Sequence, residues 1–301
     1  DAIEILKYAR TKPFTTQVFT NGILITEEIL AQIPEGTSFF ISFDTATPQR
    51  TIRGGMDFPK LRERFEWMKK YGHVFRTAIS VHRYNMDDVE EIFEWCLKNN
   101  YPRPQWLETH PVGRATMHPD ILLKPEHLEK MIQIYQRCMD RYMVSSDEDE
   151  SSETLDVDSA REKTRALQTV KFCQRLEMAL GEDKGARSMA YVTSSGDVYP
   201  TSNLMSNGMH CGGNIDEQSF QEIWNSGFKD YRNIRFSDFK QCSSCPVFKA
   251  GIWCQFRCQA LAKNASGDAL GCGATDYLKA FMLKSKEYWD LRERQNLSIA
   301  I

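Results

Sequence analysis

Over the first 115 positions the apolar residues switch repeatedly between a helical period and near-continuous strand-like runs. Asp1–Arg10 (DAIEILKYAR) sets Ile3, Leu6 and Ala9 on one helical stripe. Thr15–Thr20 (TTQVFT) is rich in β-formers and stops at Asn21-Gly22, a loop signal. Thr26 is placed to cap a short helix reaching Ala31, with Glu27 and Glu28 in its first turn complementing the helix dipole. Ser38–Asp44 (SFFISFD) reads as a buried parallel strand. Asp57–Tyr71 is an amphipathic helix that turns Phe58, Leu61, Phe65 and Met68 inward. Val74–Val81 is the next strand, Asn85 is expected to cap a helix running to Lys98, and Gln105–Thr109 is a further strand. Helices alternating with strands in this way predict βα repeats around a parallel sheet, an α/β fold. The chain opens in a helix, so at least one strand is expected ahead of Asp1.

The strand ends carry polar tips: Thr20-Asn21-Gly22, Ser42 and Asp44, Ser80 and Asn85, Glu108 and His110. In parallel α/β architectures the loops after the strands hold the site. Each tip alone reads as a cap or turn residue; four successive strands ending this way point to a shared pocket.

The second half is patterned differently. Lys124–Tyr142 is an amphipathic helix, whereas Ser145–Asp158 (SSDEDESSETLDVD) is acidic with almost nothing to bury, and is expected to be a solvated linker or loop. Ser159–Leu180 follows as a long helix whose lone Cys173 is expected in the core. Ser188–Pro200 reads as a hairpin turning at Ser195-Gly196. Gly212-Gly213-Asn214 form a loop, Asp216 is expected to cap a short helix through Trp224, and a last helix from Thr275 to about Gln295 aligns Tyr277, Phe281, Tyr288 and Leu291. The expected organisation is 1–142, a partial barrel; 143–158, the acidic linker; 159–186, a bridging helix; 187–275, a small cysteine-rich α+β domain; and 276–301, a C-terminal helix.

Charge narrows the partners. Thirty-eight Lys and Arg against 41 Asp and Glu leave a net charge of −3, which suggests neither nucleic acid nor an anionic membrane as partner. No apolar run approaches the roughly 20 residues of a membrane span. Nine cysteines, five of them clustered, suit metal ligands in a reducing cytoplasm better than a secreted disulfide framework. The cluster is QCSSCPVFKAGIWCQFRCQALAKNASGDALGC: Cys242-x2-Cys245, Cys254-x3-Cys258, then Cys272. Pairs at this spacing can turn both sulfurs toward one zinc ion or one iron–sulfur cluster.

These residues resemble those of radical SAM enzymes that carry a C-terminal SPASM domain. The SPASM likeness rests on Gly196-Asp197-Val198-Tyr199-Pro200, Gly213-Asn214-Ile215, Ile223-Trp224 and the cysteine series. The radical SAM likeness rests on Thr20-Asn21-Gly22, Ser42-x-Asp44, Arg53-Gly54 and Pro111-Val112-Gly113-Arg114-Ala115. Together they span nearly all of the chain except the acidic insert. The resemblance implies a partial (β/α) barrel followed by the SPASM domain. It implies [4Fe-4S] and S-adenosyl-L-methionine (AdoMet) as cofactors, and Thr20, Asn21, Ser42, Asp44, Asn85 and Arg114 lining the AdoMet side. It also implies hydrogen abstraction by a 5′-deoxyadenosyl radical, a peptide substrate, and an electron donor such as flavodoxin or ferredoxin.

Two departures stand out. The C-x3-C-x2-C loop that holds the AdoMet-cleaving cluster is absent from the 301 residues, as is the glycine-rich AdoMet stretch. The chain is therefore expected either to be a truncation or to be a natural partner subunit. The family's two auxiliary clusters are also unevenly represented. Cys242, Cys245, Cys254 and Cys272 match one of them. For the other, Cys258 remains, but Thr201 stands where the family has cysteine, and the cysteine upstream of the hairpin is missing. Cys211 is a substitute, with Cys173 and His210 as outside candidates, so that cluster is either incomplete or lost. Three readings follow: a peptide-modifying radical SAM/SPASM enzyme, a non-catalytic iron–sulfur relay or peptide-binding subunit, and a structural zinc protein. Ser202 and Asn203 after Thr201 disfavour sulfatase maturation, where the family carries an acidic residue.

Overall fold

The computed structural model describes residues 2–13, 15–45, 56–148, 185–252, 254 and 256–299. Arg53, Gly54, Cys173 and most of the acidic stretch lie outside the described residues. The chain divides into two compact units, residues 1–109 with 133–145, and residues 110–132 with 146–301.

The first unit is built on an all-parallel sheet in the order β1 (Gln17–Thr20), β2 (Ser38–Ser42), β3 (Val74–Val81) and β4 (Gln105–Glu108). Register pairs Thr20 with Ile41, Ser42 with Ala78 and Val81 with Glu108, so all four strands end along one edge. Helix α1 (Ala2–Arg10) precedes β1, and α2 (Glu27–Leu30), α3 (Phe58–Lys70) and α4 (Val89–Lys98) connect the strands. The expected helix–strand alternation is realised; the sheet is open among the described residues rather than a closed barrel.

Alternation of side chains decides which face is covered. Phe39 and Ile41 of β2 are buried, as are Phe75, Thr77, Ile79 and Val81 of β3. On the helix side, Phe65 of α3 stacks on Phe75 at 4.4 Å and meets Tyr101 edge-on at 4.9 Å. Leu61, Phe65 and Met68 are buried as the period requires, while Phe58 is half-buried and stacks on Trp95 at 4.7 Å. Cys96 and Cys138 are core residues, each thiol pushed up to about 12 by burial, which removes them as nucleophiles.

Local signals set the helix ends. Thr26 accepts from the Ile29 amide at 3.4 Å and Asp57 from the Lys60 amide at 3.0 Å. Asn100, at φ +52°, stops α4, and the Tyr101 amide reaches back to the Cys96 carbonyl at 2.9 Å. The expectation that Asn85 caps α4 is corrected: α4 begins after Asp88, and Asn85 is used elsewhere. Helix α5 (Leu128–Glu148) follows a single 3-10 turn at Pro125–His127 and continues past Tyr142 into the acidic stretch.

The second unit holds a small antiparallel sheet, β5 (Tyr191–Val192), β6 (Asp197–Tyr199) and β7 (Gly213–Asn214). Gly196, at φ +86°, makes the expected hairpin turn. A Cβ on Gly227 would lie 2.1 Å from the Gly212 carbonyl oxygen, so glycine is needed where these two backbones touch. Around this sheet lie α6 (Ser202–Ser206), α7 (Phe220–Glu222), α8 (Lys229–Asn233), α9 (Pro246–Lys249), α10 (Gln259–Ser266) and α11 (Asp276–Ile299). Ser219, in a reciprocal pair with Glu222, caps α7; Asp216 instead donates its amide to the Asn214 side chain at 2.8 Å. Along α11, Tyr277, Phe281 and Tyr288 are buried, whereas Leu291 is exposed.

Candidate iron–sulfur centre and strand-end site

The cysteine knot is assembled by backbone pairing. The Cys242 amide bonds to the Phe239 carbonyl at 3.2 Å, and the Cys245 amide to the Cys242 carbonyl at 3.2 Å, giving the tight turn that C-x2-C requires. The Lys240 amide donates to the Leu270 carbonyl at 3.0 Å, and Lys240 Nζ meets the Asp268 carboxylate at 2.6 Å. Those bonds carry the Cys272 loop to the Cys242 turn. Gly273 closes the knot from the other side, since a Cβ there would sit 2.4 Å from the Phe256 carbonyl oxygen. The chain around Cys254 and the chain around Cys272 are thereby held in contact.

Electrostatics shows the same grouping. The Cys242 thiol is pushed up to about 11, first by burial and then by the Cys254, Cys272 and Cys245 thiols, against Arg257. Cys254 is likewise pushed up to about 11, mainly by burial, with Cys272 and Cys245 adding to it. Lys279 of α11 lies within electrostatic reach of Cys272 and Cys245. Four half-buried thiols thus lie within electrostatic reach of one another and of Arg257 or Lys279. Among the described residues no three ligand-type side chains form a site for a single metal ion. A tetrahedral zinc site needs its sulfurs about 3.8 Å apart, from a Zn–S bond of about 2.3 Å. A four-iron cluster is a larger body carrying one thiolate on each of four corners.

The other two candidate ligands sit differently. Cys258 is 4% exposed and stands just before α10. Cys211 is exposed, and its thiol donates to the Gly213 carbonyl oxygen at 3.8 Å.

In the first unit, the strand-end residues expected at the AdoMet side are brought to one edge, and most are committed to holding it. Thr20 Oγ1 accepts from the Gly22 amide at 3.0 Å, and Asn21 Oδ1 from the Ile23 amide at 3.2 Å. Asp44 Oδ1 accepts from the Ser80 amide at 2.8 Å, tying β2 to β3. Asn85 is 1% exposed: Nδ2 donates to the carbonyls of Asp44 at 2.9 Å and Ser80 at 3.0 Å, and Oδ1 accepts from the His82 amide at 2.8 Å. Ser42 is half-buried at the end of β2, on the face opposite Ile41. Phe19 stacks on Phe40 of that face at 4.6 Å. Arg114 is exposed on the 3-10 turn Gly113–Thr116, in the second unit. Sequence reasoning gave Glu108 no role beyond a polar tip. Burial pushes its carboxyl up to about 7, despite the Trp106 indole N–H donating to Oε1 at 2.6 Å. The signal available was a carboxylate two residues after a tryptophan, on the same face of a strand.

Residues 184–246 match the SPASM family, an iron–sulfur cluster-binding domain. Within the second unit, these residues resemble a SPASM domain. The match takes in Cys242 and Cys245, and Cys254 and Cys272 lie beyond its end. The chain is 22% identical over 291 residues to an AdoMet-dependent heme synthase of Methanosarcina barkeri, covering 90% of this chain and 76% of the relative. Among solved structures it is similar to native anSMEcpe with bound AdoMet, with a TM-score of 0.62 at 17% identity over 99% of this chain and 78% of that one. It is also similar to Streptococcus suis SuiB bound to the precursor peptide SuiA, with a TM-score of 0.59 at 15% identity over 92% of this chain and 62% of that one. The fold is that of the radical SAM enzymes with a SPASM domain, as the motifs implied. Among the described residues no helix is long and apolar enough to cross a membrane.

Proposed function

We propose that this protein is part of a radical SAM/SPASM enzyme acting on a peptide, and that Cys242, Cys245, Cys254 and Cys272 hold a [4Fe-4S] cluster. The observation that carries this reading is the four-sulfur knot beside a SPASM match. When bound, the cluster and AdoMet supply one-electron and radical chemistry. The chain's own residues hold and shield. Asp44 and Asn85 lock the ends of β2 and β3, which keeps Ser42 and the Thr20-Asn21 turn in register on the edge where AdoMet is expected. The knot half-buries its sulfurs, and Arg257 and Lys279 offset thiolate charge. A peptide is favoured because the similar structures include anSMEcpe with the Cp18Cys peptide and SuiB with its precursor peptide.

The relay-subunit reading is the alternative, in which the four-sulfur knot passes electrons beside a separate AdoMet-cleaving subunit. A small tetrapyrrole substrate is favoured by the heme synthase likeness. One anaerobic experiment separates these readings. The iron-loaded protein is incubated with dithionite, AdoMet and either a precursor peptide or a tetrapyrrole, with and without a segment supplying C-x3-C-x2-C. Formation of 5′-deoxyadenosine with that segment, in step with a mass change in the peptide, supports the enzyme. The same product coupled to the tetrapyrrole moves the substrate class. Peptide binding without 5′-deoxyadenosine in either arm supports the relay, and protein that takes up no iron refutes both.

A further inference from the structure

The second cluster position implied by the SPASM resemblance lacks two of its cysteines, Thr201 standing in place of one. The SPASM match opens at residue 184, next to Gly185. A Cβ on Gly185 would lie 2.9 Å from Thr201 Cγ2, 3.0 Å from Pro200 Cβ and 3.0 Å from the Tyr231 hydroxyl. A side chain at residue 185 would require Thr201, Pro200 or Tyr231 to move, so the present packing leaves no space between residue 185 and Thr201. Thr201 serves the helix that follows it instead, since its Oγ1 accepts from the Leu204 amide at 3.3 Å and caps α6.

The surrounding residues hold this arrangement closed. Tyr231 is 6% exposed, and the His210 ring packs edge-on against it at 5.1 Å. His210 Nε2 is hydrogen-bonded to Gln259 Oε1, next to Cys258. Two arginine bonds clamp the strip carrying Gly185 onto α8: Arg232 Nε to the Ala186 carbonyl at 2.7 Å, and Arg187 Nη2 to the Arg232 carbonyl at 2.6 Å. Cys211, the substitute ligand, is exposed and donates its thiol to the Gly213 carbonyl at 3.8 Å.

From this we infer that the SPASM domain holds one cluster only, on Cys242, Cys245, Cys254 and Cys272. Its second cluster position is rebuilt as a plug of Thr201, Tyr231, His210 and Gln259, and Cys258 and Cys211 are not ligands. With four thiolates on the remaining cluster, no iron corner is open to substrate. The inference rests on the iron–sulfur reading above and adds the number of clusters and their closure.

The test is iron and acid-labile sulfide content of the anaerobically reconstituted 301-residue chain, with its Mössbauer spectrum. About four irons and four sulfides per chain are expected, as one [4Fe-4S] set. That content stays the same in Cys211→Ala and Cys258→Ala and is lost in Cys242→Ala. Cys211 is exposed, so its variant carries little risk to folding, and the wild-type count needs no variant at all. Addition of cyanide or peptide leaves the spectrum of the reduced cluster unchanged. About eight irons, a drop in iron in the Cys211 or Cys258 variant, or a spectral shift on addition of peptide overturns this inference and leaves the cluster reading standing. Zinc, or no metal, in the wild-type chain sinks the cluster reading itself.

Discussion

Replacing Asn85 with alanine removes three hydrogen bonds at 2.8, 2.9 and 3.0 Å from a side chain that is 1% exposed. A typical intramolecular hydrogen bond contributes about 1 kcal/mol net, so the bonds alone amount to about 3 kcal/mol. Their loss also takes one buried partner from each of the Asp44 and Ser80 carbonyls and the His82 amide. A buried polar group without a partner costs about 1–3 kcal/mol unless water reaches it. The expected loss for Asn85→Ala is therefore about 3–5 kcal/mol, large for a side chain of this size. Urea unfolding followed by tryptophan fluorescence, with the slope checked for constancy, measures it. Amide exchange at His82 and Ser80 localises it, because both amides lose protection if the latch opens. Asp57→Ala, which removes one cap bond, serves as a scale mark at about 1 kcal/mol. A loss for Asn85→Ala no greater than that for Asp57→Ala, with His82 exchange unchanged, refutes the argument that the strand ends hang on this one amide.

Three further outcomes are expected. Glu108 titrates near 7 in the folded protein against an ordinary 4.5, so the folded state binds the extra proton and stability falls as pH rises between those values. The loss amounts to about 3 kcal/mol at 1.36 kcal/mol per pH unit, and Glu108→Gln abolishes the slope in urea titrations from about pH 4 to 8. Phe65→Ala removes a fully buried ring that touches Phe75 and Tyr101, and should cost about 3–5 kcal/mol by the same denaturation. Gly22→Ala places a side chain at φ +73° with its Cβ 2.9 Å from Met56 Cε, and should cost about 1–3 kcal/mol, read as a lowered melting temperature.

The local code of this chain is plain in its residues. Thr26 and Asp57 cap where a short oxygen-bearing side chain precedes an apolar stripe, Gly196 turns the hairpin, and Val74–Val81 is a strand over its full expected length. Each of these depends on neighbours within a few positions, which sequence reading can weigh. The cysteine spacing likewise announced the tight turn at Cys242 and Cys245, because a C-x2-C turn is local. What sequence could not decide was where long-range partners would sit. Asn85 precedes a helix as a cap would, yet its amide spans to Asp44, 41 residues earlier, because parallel strands bring their ends together only in three dimensions. Leu291 keeps the helical phase of Tyr288 but meets solvent, since α11 runs past the packing that covers its first turns. Thr201 signalled in the sequence only that a ligand was missing. That Gly185, Tyr231 and His210 pack together beside it depends on contact between segments as far as 46 residues apart, and only tertiary packing sets that.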